Sequence, residues 1–224
     1  VYGNLDRSGL TPTFLVREGA YRLNAELFYI KATGDTSRLA KLSKILDVNI
    51  AKADQWIDSP DPFDWIQPFM VGLWAQALIT CYEDSACTPG YHDPRIGAVI
   101  KRMADYLWAN AYNLPNYPGA MYYNSKQASY NTPPGAGTDL KALNLLIAPM
   151  YAWLFARTGD STYQVRGDTL LQNMMLMDIP GQGCGWNGKQ FNECYRWSFE
   201  YMKWRSAPAA KSVRNKVNHK RSTV

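Results

Sequence analysis

Ala32-Thr33-Gly34-Asp35-Thr36-Ser37 and Arg157-Thr158-Gly159-Asp160-Ser161-Thr162 are near copies of one another in distant parts of the chain. Each follows an apolar helical pattern and precedes an amphipathic one. A glycine ends a helix by taking the left-handed backbone conformation, and a following Asp or Thr caps the next helix. His92-Asp93-Pro94 holds the same place in a middle copy. The repeating unit is therefore an inner helix, a tight turn, an outer helix and a longer loop. It occurs three times, and one more helix begins a fourth copy. Repeated helix pairs of this kind build a solenoid or a closed toroid.

Outward from these turns, hydrophobic periodicity predicts helices over about 17–33, 36–57, 63–83, 93–111, 139–157, 161–177 and 189–205. The first carries Tyr21, Leu23, Leu27, Phe28 and Ile30 on a mostly apolar stripe. The third and fifth are apolar nearly all round, which places them in the interior. Pro68 is tolerable only in a first turn, so the third helix is placed to begin near Ile66. Residues 113–137, rich in Tyr, Asn, Pro and Gly, read as a long loop with a short hairpin around 120–130. Residues 180–188 read as a Gly-rich loop. The fold class is all-α: an α/α toroid or open arc of about three and a half hairpins over residues 1–205, then a tail over 206–224.

The chain has 224 residues, of which 46% are hydrophobic and 13% aromatic, a composition that excludes a wholly disordered chain. No apolar run approaches the ~20 residues of a helical membrane span. All of the formal charge of +5 sits in the tail, on Lys211, Arg214, Lys216, Lys220 and Arg221, so the body is neutral. A neutral body argues against a nucleic-acid enzyme; the tail reads first as a solvated, flexible terminus and second as a segment that would touch an anionic surface or nucleic acid. The start at Val1, without Met or a charged-then-apolar leader, reads as a removed leader or as a piece of a longer polypeptide. The cysteines fall in two local pairs, Cys81/Cys87 and Cys184/Cys194, whose spacings do not match a zinc knuckle. Each pair brackets a loop-to-helix junction where a short disulfide would close, and two such bonds imply a secreted or periplasmic protein. The alternative is four buried thiols in a reducing cell. No phosphate loop, dinucleotide fingerprint, zinc-protease helix or nucleophile elbow is present, and neither metal nor cofactor is implied.

Alternating inner and outer helices with Thr-Gly-Asp turns resemble the (α/α) toroids of the six-hairpin glycosidase-like superfamily. Asp64-Trp65-Ile66-Gln67-Pro68-Phe69, Gly188-Lys189-Gln190-Phe191-Asn192 and Tyr195-Arg196-Trp197-Ser198-Phe199 are similar to segments of uncharacterised secreted bacterial proteins of that type. The resemblance covers about residues 15–205. It implies a carbohydrate-active protein, and it implies six hairpins in a full ring. This chain supplies three and a half, so a missing amino-terminal half or a second copy would complete the ring. If the arc is open, its inner helices leave a large apolar interface.

The short turns lie on one rim of such a scaffold and the long loops on the other, where binding residues concentrate. Trp65, Tyr122, Tyr123 and Trp186 offer flat faces suited to sugar C–H surfaces, and Asn124 offers an amide for hydroxyls. The same aromatics would equally cap a core. Glycoside hydrolysis needs two carboxyl groups, about 5–5.5 Å apart for retention or 6.5–9.5 Å for inversion. Asp64 with Asp139 or Glu193 is the preferred pair, one as general acid and one as base. Asp64 and Asp139 also sit where helices favour an acidic cap, and Glu193 is spaced to pair with Lys189 or Arg196. A polysaccharide lyase would instead draw on Tyr195, Arg196 and Asn124. Tyr195-Arg196-Trp197 would otherwise be a packing cluster in which Arg196 pairs with Asp64 or Asp139. The leading reading is hydrolysis of a neutral or weakly charged glycan. The alternative is a non-catalytic glycan-binding or self-assembling module.

Overall fold

A computed structural model describes residues 16–61, 64–85, 89–113, 120–121, 125, 141–175 and 188–208. Among them are seven α-helices: α1 (Val16–Thr33), α2 (Leu39–Asp58, entered through a 3-10 turn at Thr36–Arg38), α3 (Pro68–Glu83), α4 (Pro94–Asn110), α5 (Ala148–Thr158), α6 (Ser161–Met175) and α7 (Gly188–Arg205). The fold is all-α apart from a two-residue pairing of β1 (Tyr112–Asn113) with β2 (Ala120–Met121), antiparallel, with Tyr112 opposite Met121. No helix among the described residues is long and apolar enough to cross a membrane.

The three tight turns share one construction. Gly34 and Gly159 take φ of 70°, and His92 takes φ of 55° in the middle copy. An aspartate follows each. Asp35 accepts from the Ser37 amide at 3.1 Å, Asp93 from the Arg95 amide at 2.9 Å, and Asp160 from the Thr162 amide at 2.9 Å. The left-handed residue reverses the chain, and the carboxylate satisfies an amide that the helix start would otherwise leave bare. The repeat read from the sequence is thus a repeat of backbone geometry.

Packing follows the same alternation. α1 packs on α3, α3 on α5, and α5 on α7; α2 packs on α1, α4 on α3 and α6 on α5, and α2 also meets α4. α3 and α5 bury residues on nearly every side, including Val71, Trp74, Leu78, Ile79, Tyr151, Trp153 and Leu154. Each such side chain contributes roughly 1.5–3 kcal/mol on burial. Two of the polar side chains inside meet buried partners: Trp74 Nε1 donates to Asn49 Oδ1 at 2.8 Å, and the Tyr151 hydroxyl donates to the Ala104 carbonyl at 2.8 Å. Gly72 lets the backbone of α3 approach the 3-10 stretch Lys141–Leu146; a Cβ there would lie 2.2 Å from the Leu146 carbonyl oxygen.

Several boundaries differ from the sequence reading. α3 starts at Pro68, with Gln67 as an N-cap that makes no side-chain cap bond. Asp64 therefore precedes the helix instead of opening it. The predicted fifth helix is divided into the 3-10 stretch Lys141–Leu146 and α5. Pro149 lacks an amide hydrogen and its ring clashes with the carbonyl four residues back, so a continuous α-helix cannot pass through it. Cys81 is a fully buried thiol on the core face of α3. That corrects the expected Cys81–Cys87 disulfide: the Cys81 sulfur faces Gly90, where a Cβ would stand 2.2 Å away. Cys194 is disulfide-bonded. Cys87 and Cys184 lie outside the described residues.

Candidate functional site

α1, α3 and α7 run in the same direction and enclose a long groove. One half, about 400 Å³, takes its walls from the first turns: Arg17, Tyr21 and Asn24 of α1, Phe69, Leu73 and Gln76 of α3, Leu143 and Leu146 of the 3-10 stretch, and Asn192, Glu193, Arg196 and Trp197 of α7. The other half, about 480 Å³, is lined by Phe28, Lys31, Ile79, Thr80, Glu83, Asp84, Glu200, Lys203 and Trp204 from the later turns. Asn24, Gln76 and Arg196 border both halves. They mark the waist of one continuous groove.

α7 is held in position from behind. The Tyr201 hydroxyl and the Arg205 guanidinium both bond Asp168 of α6, the latter at 2.9 Å. Burial works to raise the Asp168 carboxyl, yet these donors hold it below its ordinary range. Burial, with Asp168 alongside, pushes the Tyr201 hydroxyl above its ordinary range, so it stays protonated as a donor. The later half of the groove is internally neutralised. Lys31 pairs with Asp84, and Glu83 accepts from Trp153 Nε1 at 2.7 Å and from Arg157. Arg157 in turn lies over the rings of Tyr82 and Trp204, 5.6 and 5.8 Å from their centroids.

At the waist, Gln76 Nε2 donates to Glu200 Oε2 at 3.3 Å. The side-chain oxygens of Asn24 and Gln76 are covered and have no hydrogen-bond donor. Trp204 Nε1 is likewise buried without an acceptor. An unmet buried polar atom costs about 1–3 kcal/mol; two such amide acceptors lie where the halves meet, and the indole donor lies in the later half. Arg196 lies over the Trp197 ring at 5.2 Å and has no carboxylate within salt-bridge distance among the described residues. That corrects the reading in which it pairs with Asp64.

Of the carboxyls proposed for catalysis, Glu193 lines the groove, partly exposed. Asp64 sits on the segment leading into α3, where its Oδ2 accepts from Ser59 Oγ at 2.5 Å; it does not line the groove. Asp139 lies outside the described residues. Trp65 is half-buried on the same segment as Asp64. Ser125 fixes that segment: its amide donates to the Ile66 carbonyl, and its Oγ accepts from the Ile66 amide, each at 2.9 Å. Tyr122, Tyr123, Asn124 and Trp186 lie outside the described residues. Tyr195 is exposed on another flank of α7, away from the groove, whereas Arg196 borders it. Sequence reasoning missed Asn24, Gln76, Tyr21, Phe28 and Trp204. The available signal was Gln76 and Thr80, polar residues one turn apart in an otherwise apolar α3.

Neither a known protein family, nor a curated protein, nor a solved structure matches this chain.

Proposed function

We propose that this is a carbohydrate-active protein that holds a neutral or weakly charged glycan in the α1–α3–α7 groove. The observation that carries the reading is the lining at the waist. Unmet amide oxygens of Asn24 and Gln76 lie among Tyr21, Phe28, Phe69, Trp197 and Trp204. Aromatic faces take the C–H surfaces of sugars, and amides take hydroxyl donors once a ligand turns them toward it. Of the cations lining the groove, Arg17 and Lys31 are already paired with Glu18 and Asp84, which disfavours a highly anionic polymer. The alternation of helices is the order an α/α arc would have, and the resemblance to the six-hairpin glycosidase-like superfamily supports the same class of ligand. The disulfide at Cys194 supports an oxidising, secreted or periplasmic setting.

Glu193 favours hydrolysis as the accompanying activity, because it lines the groove half-exposed. Its partner carboxyl would come from Asp64 or Asp139, one acting as general acid and the other as base or nucleophile. The test is a panel of neutral and weakly acidic polysaccharides, read for binding, for new reducing ends and for the ultraviolet absorbance of unsaturated uronates. Reducing ends without absorbance support hydrolysis, and binding alone supports a non-catalytic module. Absorbance would transfer the chemistry to Arg196, the lyase candidate that borders the groove. No binding across the panel by folded protein would overturn the reading.

A further inference from the structure

Phe191, Tyr195, Phe199 and Met202 recur along α7 at helical intervals and are 61%, 59%, 62% and 48% exposed. The rings touch in sequence: Phe191 stacks with Tyr195 at 6.3 Å, and Phe199 meets Tyr195 edge-on at 4.9 Å. None of the four lines the groove. At 3.6 residues per turn the row is turned roughly 140° from the groove-facing Glu193, Arg196 and Glu200. α1, α3 and α5 are each covered by a second-row helix. The ties from Tyr201 and Arg205 to Asp168 of α6 leave the α7 row uncovered among the described residues.

We infer that this row is the contact between two copies of the chain, α7 against α7, antiparallel about a two-fold axis passing between Tyr195 and Phe199. The row is self-complementary, as an isologous contact demands. Spacings of four, four and three residues read almost the same in both directions. Tyr195 then meets Phe199 of the second copy, and Phe191 meets its Met202. The row carries no charge that would select a partner of opposite sign, and antiparallel pairing opposes the two helix dipoles favourably. An aromatic side chain buries about 150–250 Å², so at these exposures the row offers roughly 400–500 Å² per copy. That is below the ~800 Å² per partner of a stable complex and in the range of weak association. The dimer is therefore concentration-dependent. The inference is independent of the glycan reading, because the two surfaces share no residue.

Sedimentation of the full chain from micromolar to near-millimolar concentration tests it, with Tyr195→Glu and Phe199→Lys as separate variants, each checked for fold by circular dichroism. The expected result is a monomer–dimer equilibrium in the parent chain, weakened at least tenfold in each folded variant. Restored association when the two variants are mixed would fix the Tyr195–Phe199 register. A parent chain that stays monomeric throughout, whether the row remains bare or is covered by residues 209–224, overturns the inference. So does a dimer that folded variants leave unchanged.

Discussion

Gln76 of α3 donates its side-chain amide to Glu200 of α7 at 3.3 Å, joining two helices far apart in the chain across the floor of the groove. α1 completes the enclosure through Asn24, which borders the same point. The groove is thus a product of tertiary packing, and its polar waist is where a ligand would be recognised.

Gln76→Met keeps side-chain length and removes the amide. Because the parent amide oxygen is already unmet, the fold should lose little, within about 1 kcal/mol. Glycan affinity should fall about tenfold, which corresponds to ~1.4 kcal/mol. Calorimetric titration and thermal melting on the same sample separate the two effects.

Glu193→Gln keeps shape and removes the ionisable group. If the panel yields reducing ends, their release should fall at least ~100-fold, the scale of a lost general acid or base, while binding persists. An unchanged rate would remove Glu193 from the chemistry. Asp64→Asn, assayed alongside, decides whether that carboxyl is its partner.

Gly72→Ala should destabilise the fold by about 2 kcal/mol or more, because the new Cβ would meet the Leu146 carbonyl oxygen, an atom of the backbone. Gly34→Ala meets no neighbour, so its cost comes from φ of 70° alone and should be about 1 kcal/mol. Denaturant midpoints should rank the two in that order.

Hydrogen bonding from Arg38 holds the Glu26 carboxyl below its ordinary range, despite opposing burial, with Lys41 assisting. Arg95 does the same for Asp93. A carboxyl whose pKa is lower in the folded state stabilises the fold above the unfolded carboxylate range, near pH 4. That contribution is lost as pH falls through the folded value. Melting temperature should therefore drop steeply below about pH 4. Glu26→Gln should be less stable than the parent at neutral pH and should lose less on acidification.

The all-α class and most of the helices and turns were legible because their signals are local. Gly34, Gly159 and the capping aspartates announce turns within a few residues, and Pro68 and Pro94 stand at the first turns of α3 and α4. What escaped was set by neighbours. The apolar run around residues 139–157 hides the obstacle that Pro149 presents to a continuous helix. Cys81 lies near Cys87 in sequence, but its sulfur is directed into the core against Gly90. The candidate site was less legible. Glu193 and Arg196 lie on the groove, yet Asn24 and Gln76 acquire meaning only when α1 and α7 come together over α3. In Tyr195-Arg196-Trp197, one residue faces solvent, one the groove and one the core. Three neighbouring residues on a helix necessarily diverge in this way, at about 100° apart.

The most direct measurement is side-chain amide nuclear magnetic resonance of Asn24 and Gln76 during titration with neutral oligosaccharides of glucose, xylose, mannose and galactose. The account predicts saturable shifts of both amide pairs, with the indole of Trp204 moving in step, for at least one of these sugars. Resonances that stay fixed through millimolar additions of every sugar would contradict it.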